Sequence, residues 1–204
     1  MAKITNTGVF IVEGSAAAAD VAGSSQIWTK SDAPSSLYHT DDAGTDYRIN
    51  GITVGTDTAS TSGSSIDFTG IPAGVKRVTL SFENVNGSGT EDWLVRLGDS
   101  GGIETTGYTG HGERNGTTIR ITNGFALMDG YSANEEYDGF CALWLKDAAN
   151  NTWAQNGALG GVDADNVRRT SLGMKSLSGV LTQVRVMTAS SDTFGSGSIS
   201  MTYE

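Results

Sequence analysis

Residues Trp93 to Tyr108, W-L-V-R-L-G-D-S-G-G-I-E-T-T-G-Y, decide how this chain is read. Trp93, Val95 and Leu97 alternate with Leu94 and Arg96, the period of a strand with one buried face. The run stops at Gly98-Asp99-Ser100-Gly101-Gly102, where glycines around a short polar pair favour a tight turn. The same five residues are also the kind of setting that holds a serine nucleophile. Strand and turn, or reactive serine, is the first question.

The flanking segments favour the strand. Val78, Leu80 and Phe82 face one way, and Arg77, Thr79, Ser81 and Glu83 the other. Ile66 and Phe68 precede them, joined through a turn at Ile71-Pro72-Ala73-Gly74. Residues 118–121, 140–145, 152–155, 168–174, 181–187 and 198–203 supply further strands, the last with Ile199, Met201 and Tyr203 on one face. Asn-Gly pairs at 50–51, 86–87, 115–116, 123–124 and 156–157, and Asp-Gly pairs at 129–130 and 138–139, read as tight turns that tolerate positive φ. Short strands at this spacing predict an all-β chain whose main body is an antiparallel β-sandwich, jelly-roll-like in its connections.

The first 58 residues read differently. Ile4 and Val9 to Val12 suggest one short strand, and Glu13 to Gly23 a connector of small residues. Gln26 to Lys30, Leu37 to Thr40 and Tyr47 to Ile49 form a meander of very short strands, turned at Asp32-Ala33-Pro34-Ser35 and Asp41-Asp42-Ala43-Gly44. So small a unit is marginal by itself, so it is expected to pack on a larger body or another chain. Ile27, Trp28, Leu37 and Tyr38 are its candidate docking residues. Thr56 to Ser65, T-D-T-A-S-T-S-G-S-S, reads as a flexible linker. The expected division is an N-terminal attachment and oligomerisation segment, 1–58, and a C-terminal sandwich, 59–204.

Composition narrows the function classes. Only 37% of the 204 residues are hydrophobic and 28 are glycine, which leaves little room for long amphipathic helices. A net charge of −10 opposes binding to nucleic acid, where Lys and Arg must neutralise phosphate, and to anionic membranes. No stretch approaches the roughly 20 apolar residues of a membrane-spanning helix. The apolar run near the N-terminus is too short for a signal peptide, so a chain made in a cytoplasm is expected, its final location left open. The single cysteine, Cys141, sits in Y-D-G-F-C-A-L-W-L, where a buried and inert thiol is expected.

Candidate chemistry is sparse. The Gly-Asp-Ser-Gly-Gly match to chymotrypsin-like serine proteases requires a histidine base and a buried aspartate on a two-barrel scaffold. The histidines here are His39, in the small meander, and His111, after the serine; the 99 residues before Ser100 are too few for the barrels. Asp41, Asp42 and Asp46, and Asp163, Asp165 and Asn166, are carboxylate clusters without EF-hand spacing, so they read as turn residues and no metal is assigned. Glu104, Glu113, Glu135 and Glu136 have only their acidity to suggest glycoside hydrolysis. No catalytic residue and no cofactor is assigned, and an enzyme is not expected. Tyr108, His111, Tyr131, Tyr137 and Trp153 lie among Gly, Asn and Asp in apparent loops, making them candidate glycan contacts by ring stacking. The competing reading of these rings is packing at the sandwich ends or across a subunit interface.

Two stretches carry a family resemblance. Gly23 to Asp46, G-S-S-Q-I-W-T-K-S-D-A-P-S-S-L-Y-H-T-D-D-A-G-T-D, resembles a small β-motif found near the N-termini of tailed-bacteriophage virion proteins of the tail-fibre, head-fibre and capsid-decoration type. Ser64 to Phe82, with Leu97 to Tyr108, is similar to phage fibre domains. The resemblance covers roughly the first half of the chain. It implies a non-enzymatic structural protein on the virion, a homo-oligomer (most often a trimer), docking on a capsid or tail protein through the N-terminal part, and a projecting sandwich. A host-surface glycan is the alternative partner. The extended repeats of long fibres are absent, which favours a short fibre, head fibre or decoration protein.

Overall fold

The computed structural model describes residues 3–5, 8–11, 13–19, 23–31, 36–49, 51–114, 116–128, 130, 133, 135–162 and 168–204. All regular structure among them is β, so no helix there is long and apolar enough to cross a membrane. The chain divides into two units, Met1–Ile52 and Thr53–Glu204.

In the first unit, β1 (Lys3–Thr5) and β2 (Gly8–Phe10) form a hairpin where the sequence suggested one strand. β3 (Glu13–Gly14), β4 (Gln26–Lys30), β5 (Ser36–Thr40) and β6 (Asp46–Arg48) form a four-stranded sheet in that order. β3 runs parallel to β4, and the remaining pairs are the expected antiparallel meander. The turn expected at Asp32 to Ser35 lies outside the described residues. Asp41 builds the next turn by accepting the backbone N–H groups of Ala43 and Thr45 at 3.0 and 2.8 Å.

The second unit is a two-sheet antiparallel sandwich. Its strands are β7 (Thr53–Val54), β8 (Thr58–Ala59), β9 (Ser65–Thr69), β10 (Arg77–Gly87), β11 (Trp93–Asp99), β12 (Gly102–Ile103), β13 (Tyr108–Arg114), β14 (Thr117–Ile121), β15 (Phe125–Met128), β16 (Tyr137–Asp147), β17 (Thr152–Gly161), β18 (Arg168–Ser176), β19 (Gln183–Thr188) and β20 (Phe194–Tyr203). The larger sheet has the order β14-β13-β18-β17-β16-β10-β20-β7, with β8 also on β20; the smaller is β12-β11-β19-β9, with β15 also on β11. Pairing is nested: β10 with β20, β11 with β19, β13 with β18, and β16 with β17. That is a long hairpin rolled over itself, the plan of a jelly roll, with the innermost pair retained in the larger sheet.

Between the sheets, Val78, Leu80 and Phe82 of β10 and Ile199 and Met201 of β20 face Val95, Leu97, Val184 and Val186. Trp93 meets Tyr137 and Phe194 edge-on, with ring centroids 5.9 and 5.4 Å away. Each ring offers its positive edge to a neighbour's face, so these contacts add to the area they bury.

Several expectations are corrected. The stretch read as a linker belongs to the sandwich: Thr58 and Ala59 pair with Ile199 and Ser198, and Ser60 is buried with its hydroxyl donating to the Ser196 carbonyl at 2.6 Å. The loop expected around Gly110 and Gly112 is instead strand β13, and β15 is a strand the sequence did not indicate. Those glycines clear a path for β15: a Cβ at Gly110 would lie 2.7 Å from the Gly124 carbonyl, and one at Gly112 would lie 3.1 Å from Ala126. Asn156-Gly157 and Asp138-Gly139 are interior to β17 and β16 rather than turns. Leu94, assigned to the exposed face of β11, is buried against Gly124.

β18 departs furthest from its pattern. Its alternation puts Leu172 and Met174 on one face, and polarity predicts that face inward. The structure turns it outward. Arg169, Ser171 and Lys175 point into the sandwich instead, exposed by only 3%, 2% and 6%.

Candidate functional site

Gly98 to Gly102 is the hairpin from β11 into β12, and Ser100 is an exposed turn residue. Asp99 folds back to accept the Gly101 N–H at 2.7 Å and the Ser178 hydroxyl at 2.7 Å. The Ser178 and Gly101 bonds hold its carboxyl below the ordinary aspartate range. The Ser178 backbone N–H donates to Glu104 at 2.7 Å, and its single hydroxyl proton lies between Asp99 and a Glu104 oxygen 2.8 Å away. The Lys175 ammonium pairs with the same Glu104 carboxylate, donates to the Ser176 carbonyl at 2.8 Å, and lies 5.3 Å from the centre of the Tyr108 ring. Burial by itself would raise the Glu104 carboxyl; the bonds from Lys175 and Ser178 outweigh it and hold the group low. The cluster satisfies the inward lysine of β18 and fastens the hairpin. His111, in contrast, sits in the middle of β13, opposite Arg120 and Leu172.

The candidate glycan contacts do not form a surface. Tyr108, Tyr137 and Trp153 lie in β13, β16 and β17 with exposures of 2%, 0% and 2%, so no sugar reaches their faces. Tyr108 meets Phe125 edge-on, accepts the Leu97 N–H at 2.8 Å and donates to the Glu104 carbonyl at 2.9 Å. Burial pushes its hydroxyl up to about 12. His111 is half-buried, and Tyr131 lies outside the described residues.

The docking candidates split between two faces of the meander. Trp28 and Tyr38 share one face, stacked with centroids 5.0 Å apart. The Trp28 indole donates to Thr40 at 2.8 Å, and Thr40 donates to Asp46 at 2.5 Å. These residues hold β4, β5 and β6 together. Ile27 and Leu37 occupy the opposite face, where Ile27 is 60% exposed beside His39, and His39 stacks on the exposed Tyr47 at 6.1 Å. His39 and Tyr47 are thus additional members of that face; the i,i+2 relation of His39 to Leu37, and the turn at Asp41 that brings Tyr47 opposite His39, were the available signal.

Of the aspartate clusters, Asp41 and Asp46 are engaged in turn and strand bonds, and Asp163, Asp165 and Asn166 lie outside the described residues. Among the described residues no group of three or more potential metal ligands comes together. Glu113 lies on β13, with Thr170 donating to it at 3.5 Å, and Glu136 accepts from Ser196 at 3.3 Å. Cys141 is fully buried, accepts from the Gln155 amide at 3.4 Å, and burial pushes its thiol up to about 12.

Sequence reasoning missed a group on the outer face of the larger sheet: Phe140, Trp144, Leu172 and Met174, all 42% exposed or more. The signal was F-C-A-L-W-L, where unbroken apolarity means that both faces of β16 are apolar. At one end of this face an open depression of about 570 Å³ is lined by Phe140, Ala158, Gly160 and Arg168.

Compared with known proteins, no family model matches the chain, and no curated protein and no solved structure matches it either.

Proposed function

We propose that the chain is a non-enzymatic structural protein of a tailed-phage virion surface, a short fibre, head fibre or decoration protein, acting as a homo-oligomer. The first unit docks on a capsid or tail protein, and the sandwich projects. The observation that carries this reading is the exposed face of the meander: Ile27, 60% exposed, beside Leu37, His39 and the 40% exposed Tyr47 on a sheet of short strands. A unit this small gains stability from any partner that binds only its folded form, through mass action. The sandwich, with Tyr108, Tyr137 and Trp153 turned inward, suits a rigid projecting body. The virion assignment itself comes from the resemblance of residues 23–46, 64–82 and 97–108 to phage virion proteins.

The test is incorporation. Wild-type chain is expected in purified particles by mass spectrometry, and Ile27→Asp chain is expected to fold normally but stay in the lysate. A wild-type chain that never accompanies particles would overturn the proposal.

A further inference from the structure

The outer face of the larger sheet carries its apolar residues in register. Trp144, Ala154 and Met174 lie side by side across β16, β17 and β18, followed by the row Ala142, Asn156 and Leu172, and by Phe140, Ala158 and Thr170. Phe140 and Trp144 are each 42% exposed, Met174 43% and Leu172 57%. Single exposed apolar side chains are ordinary on a monomer, whereas a contiguous field of them marks a contact surface. β18 strengthens the point. It turns Arg169, Ser171 and Lys175 inward, each held by hydrogen bonds, so that Leu172 and Met174 point out. A strand built this way has its apolar face directed at something outside its own sandwich.

We propose that this face binds a second copy of the chain, sheet against sheet. The proposal gives the homo-oligomer of the preceding section its surface; it rests on that part of the reading and not on virion attachment. Shape favours a copy. The large side chains of β16 and β18 form two ridges about 10 Å apart, two strand spacings, flanking a trough along β17 formed by Ala154, the exposed Asn156, Ala158 and Gly160. A copy related by a two-fold axis sets a ridge into that trough and receives one in return. Size also fits. Five strands, β10, β16, β17, β18 and β13, over about eight residues cover roughly 650 Å², near the ~800 Å² per partner of a standard interface. The rim is polar, with Thr79 and Ser81 on β10 and Thr109 and His111 on β13, as specific interfaces are. Charge completes the case. The outward ionic groups of β10, β13, β16 and β18 are Glu83, Glu113 and Asp138 against Arg77, Lys146 and Arg168, so the charges of this face balance. Two copies of an acidic chain meet there without repulsion.

The experiment uses the full chain. Trp28, Trp93 and Trp153 are 9%, 0% and 2% exposed, so acrylamide quenching of tryptophan fluorescence reads Trp144. Sedimentation is expected to show an oligomer, with quenching falling as concentration rises. Leu172→Asp and Met174→Lys are each expected to weaken association about 30-fold or more, the loss typical of a central interface residue, with the melting of the dissociated monomer unchanged because both sites are exposed there. Val180→Asp, at an exposed loop position, is expected to change neither readout. An oligomer whose Trp144 stays fully quenchable, or that survives both variants, overturns this face and leaves the homo-oligomer standing. A chain monomeric at every concentration overturns both. A monomer whose Trp144 is shielded by delipidated lipopolysaccharide overturns the proposal in favour of a glycan.

Discussion

The Ser178 hydroxyl lies 2.7 Å from a carboxylate oxygen of Asp99, tying the hairpin after β11 to the loop after β18. Because Ser178 also reaches Glu104, one residue anchors both carboxylates of the cluster. Ser178→Ala is expected to destabilise the sandwich by about 1–2 kcal/mol, at or just below the low end for hydrogen bonds to charged groups because Ser178 is exposed to water. Urea denaturation with an unchanged m-value checks it; a loss below about 0.3 kcal/mol would count against the anchor.

The same cluster sets an acid limb. Asp99 and Glu104 both have carboxyls held below their unfolded values of 3.8 and 4.5. A depressed carboxyl contributes stability that is full above the unfolded value and lost as pH falls through the folded one. The urea midpoint is therefore expected to hold from pH 7 to about pH 5 and to fall below that. The fall should be smaller in Ser178→Ala, whose carboxyls return toward ordinary values.

Tyr108→Phe keeps the edge-on contact with Phe125 and removes the hydroxyl. The Leu97 N–H and the Glu104 carbonyl each lose a partner, and Leu97 is buried. A loss of about 1–3 kcal/mol is expected from the stranded buried donor, measured by chemical denaturation.

Gly197 separates clash from backbone strain. At φ +82, its Cβ would lie 2.4 Å from the carbonyl oxygens of both Glu83 and Asn84, at the bulge between β10 and β20. Gly116, at φ +83, has nothing within 4 Å. Gly116→Ala is expected to cost about 1–2 kcal/mol from left-handed backbone alone. Gly197→Ala should cost at least twice as much and lower the melting temperature further; equal costs would mean that the bulge yields easily.

Cys141 supplies a probe of opening. With a thiol near 12 and no exposure, it is expected to resist iodoacetamide at pH 8 until the sandwich unfolds globally. Alkylation faster than global unfolding would indicate local opening of β16.

Half of the fold was visible in residues with one clear face. β10 and β20 alternate cleanly because one side meets the core and the other carries Thr, Ser and Glu, so Val78, Leu80, Ile199 and Met201 were legible. Tyr108 and Trp153 were not, because loops and glycine-rich strands share a vocabulary. Gly110 and Gly112 look like turn residues, and their role appears only once β15 lies across them. Asn156-Gly157 failed as a turn for a related reason: a Cβ at Gly157 would lie 2.9 Å from the Ser171 hydroxyl, so close packing within the sheet calls for glycine. β18 runs against the rule that apolar residues point inward, because that rule treats the sandwich as the only thing there to be buried against.

Nested pairing also has a consequence in time. The first long strand of the sandwich, β10, waits for β20, and β11 waits for β19. During synthesis the ribosome must release nearly the whole second unit before the outer pairs can close, whereas the meander of residues 26–48 joins only sequence neighbours. The small N-terminal sheet is therefore able to form early, while β9, β10 and β11 lack their β19 and β20 partners until the end. That interval is when a chaperone or a neighbouring chain has most to offer it.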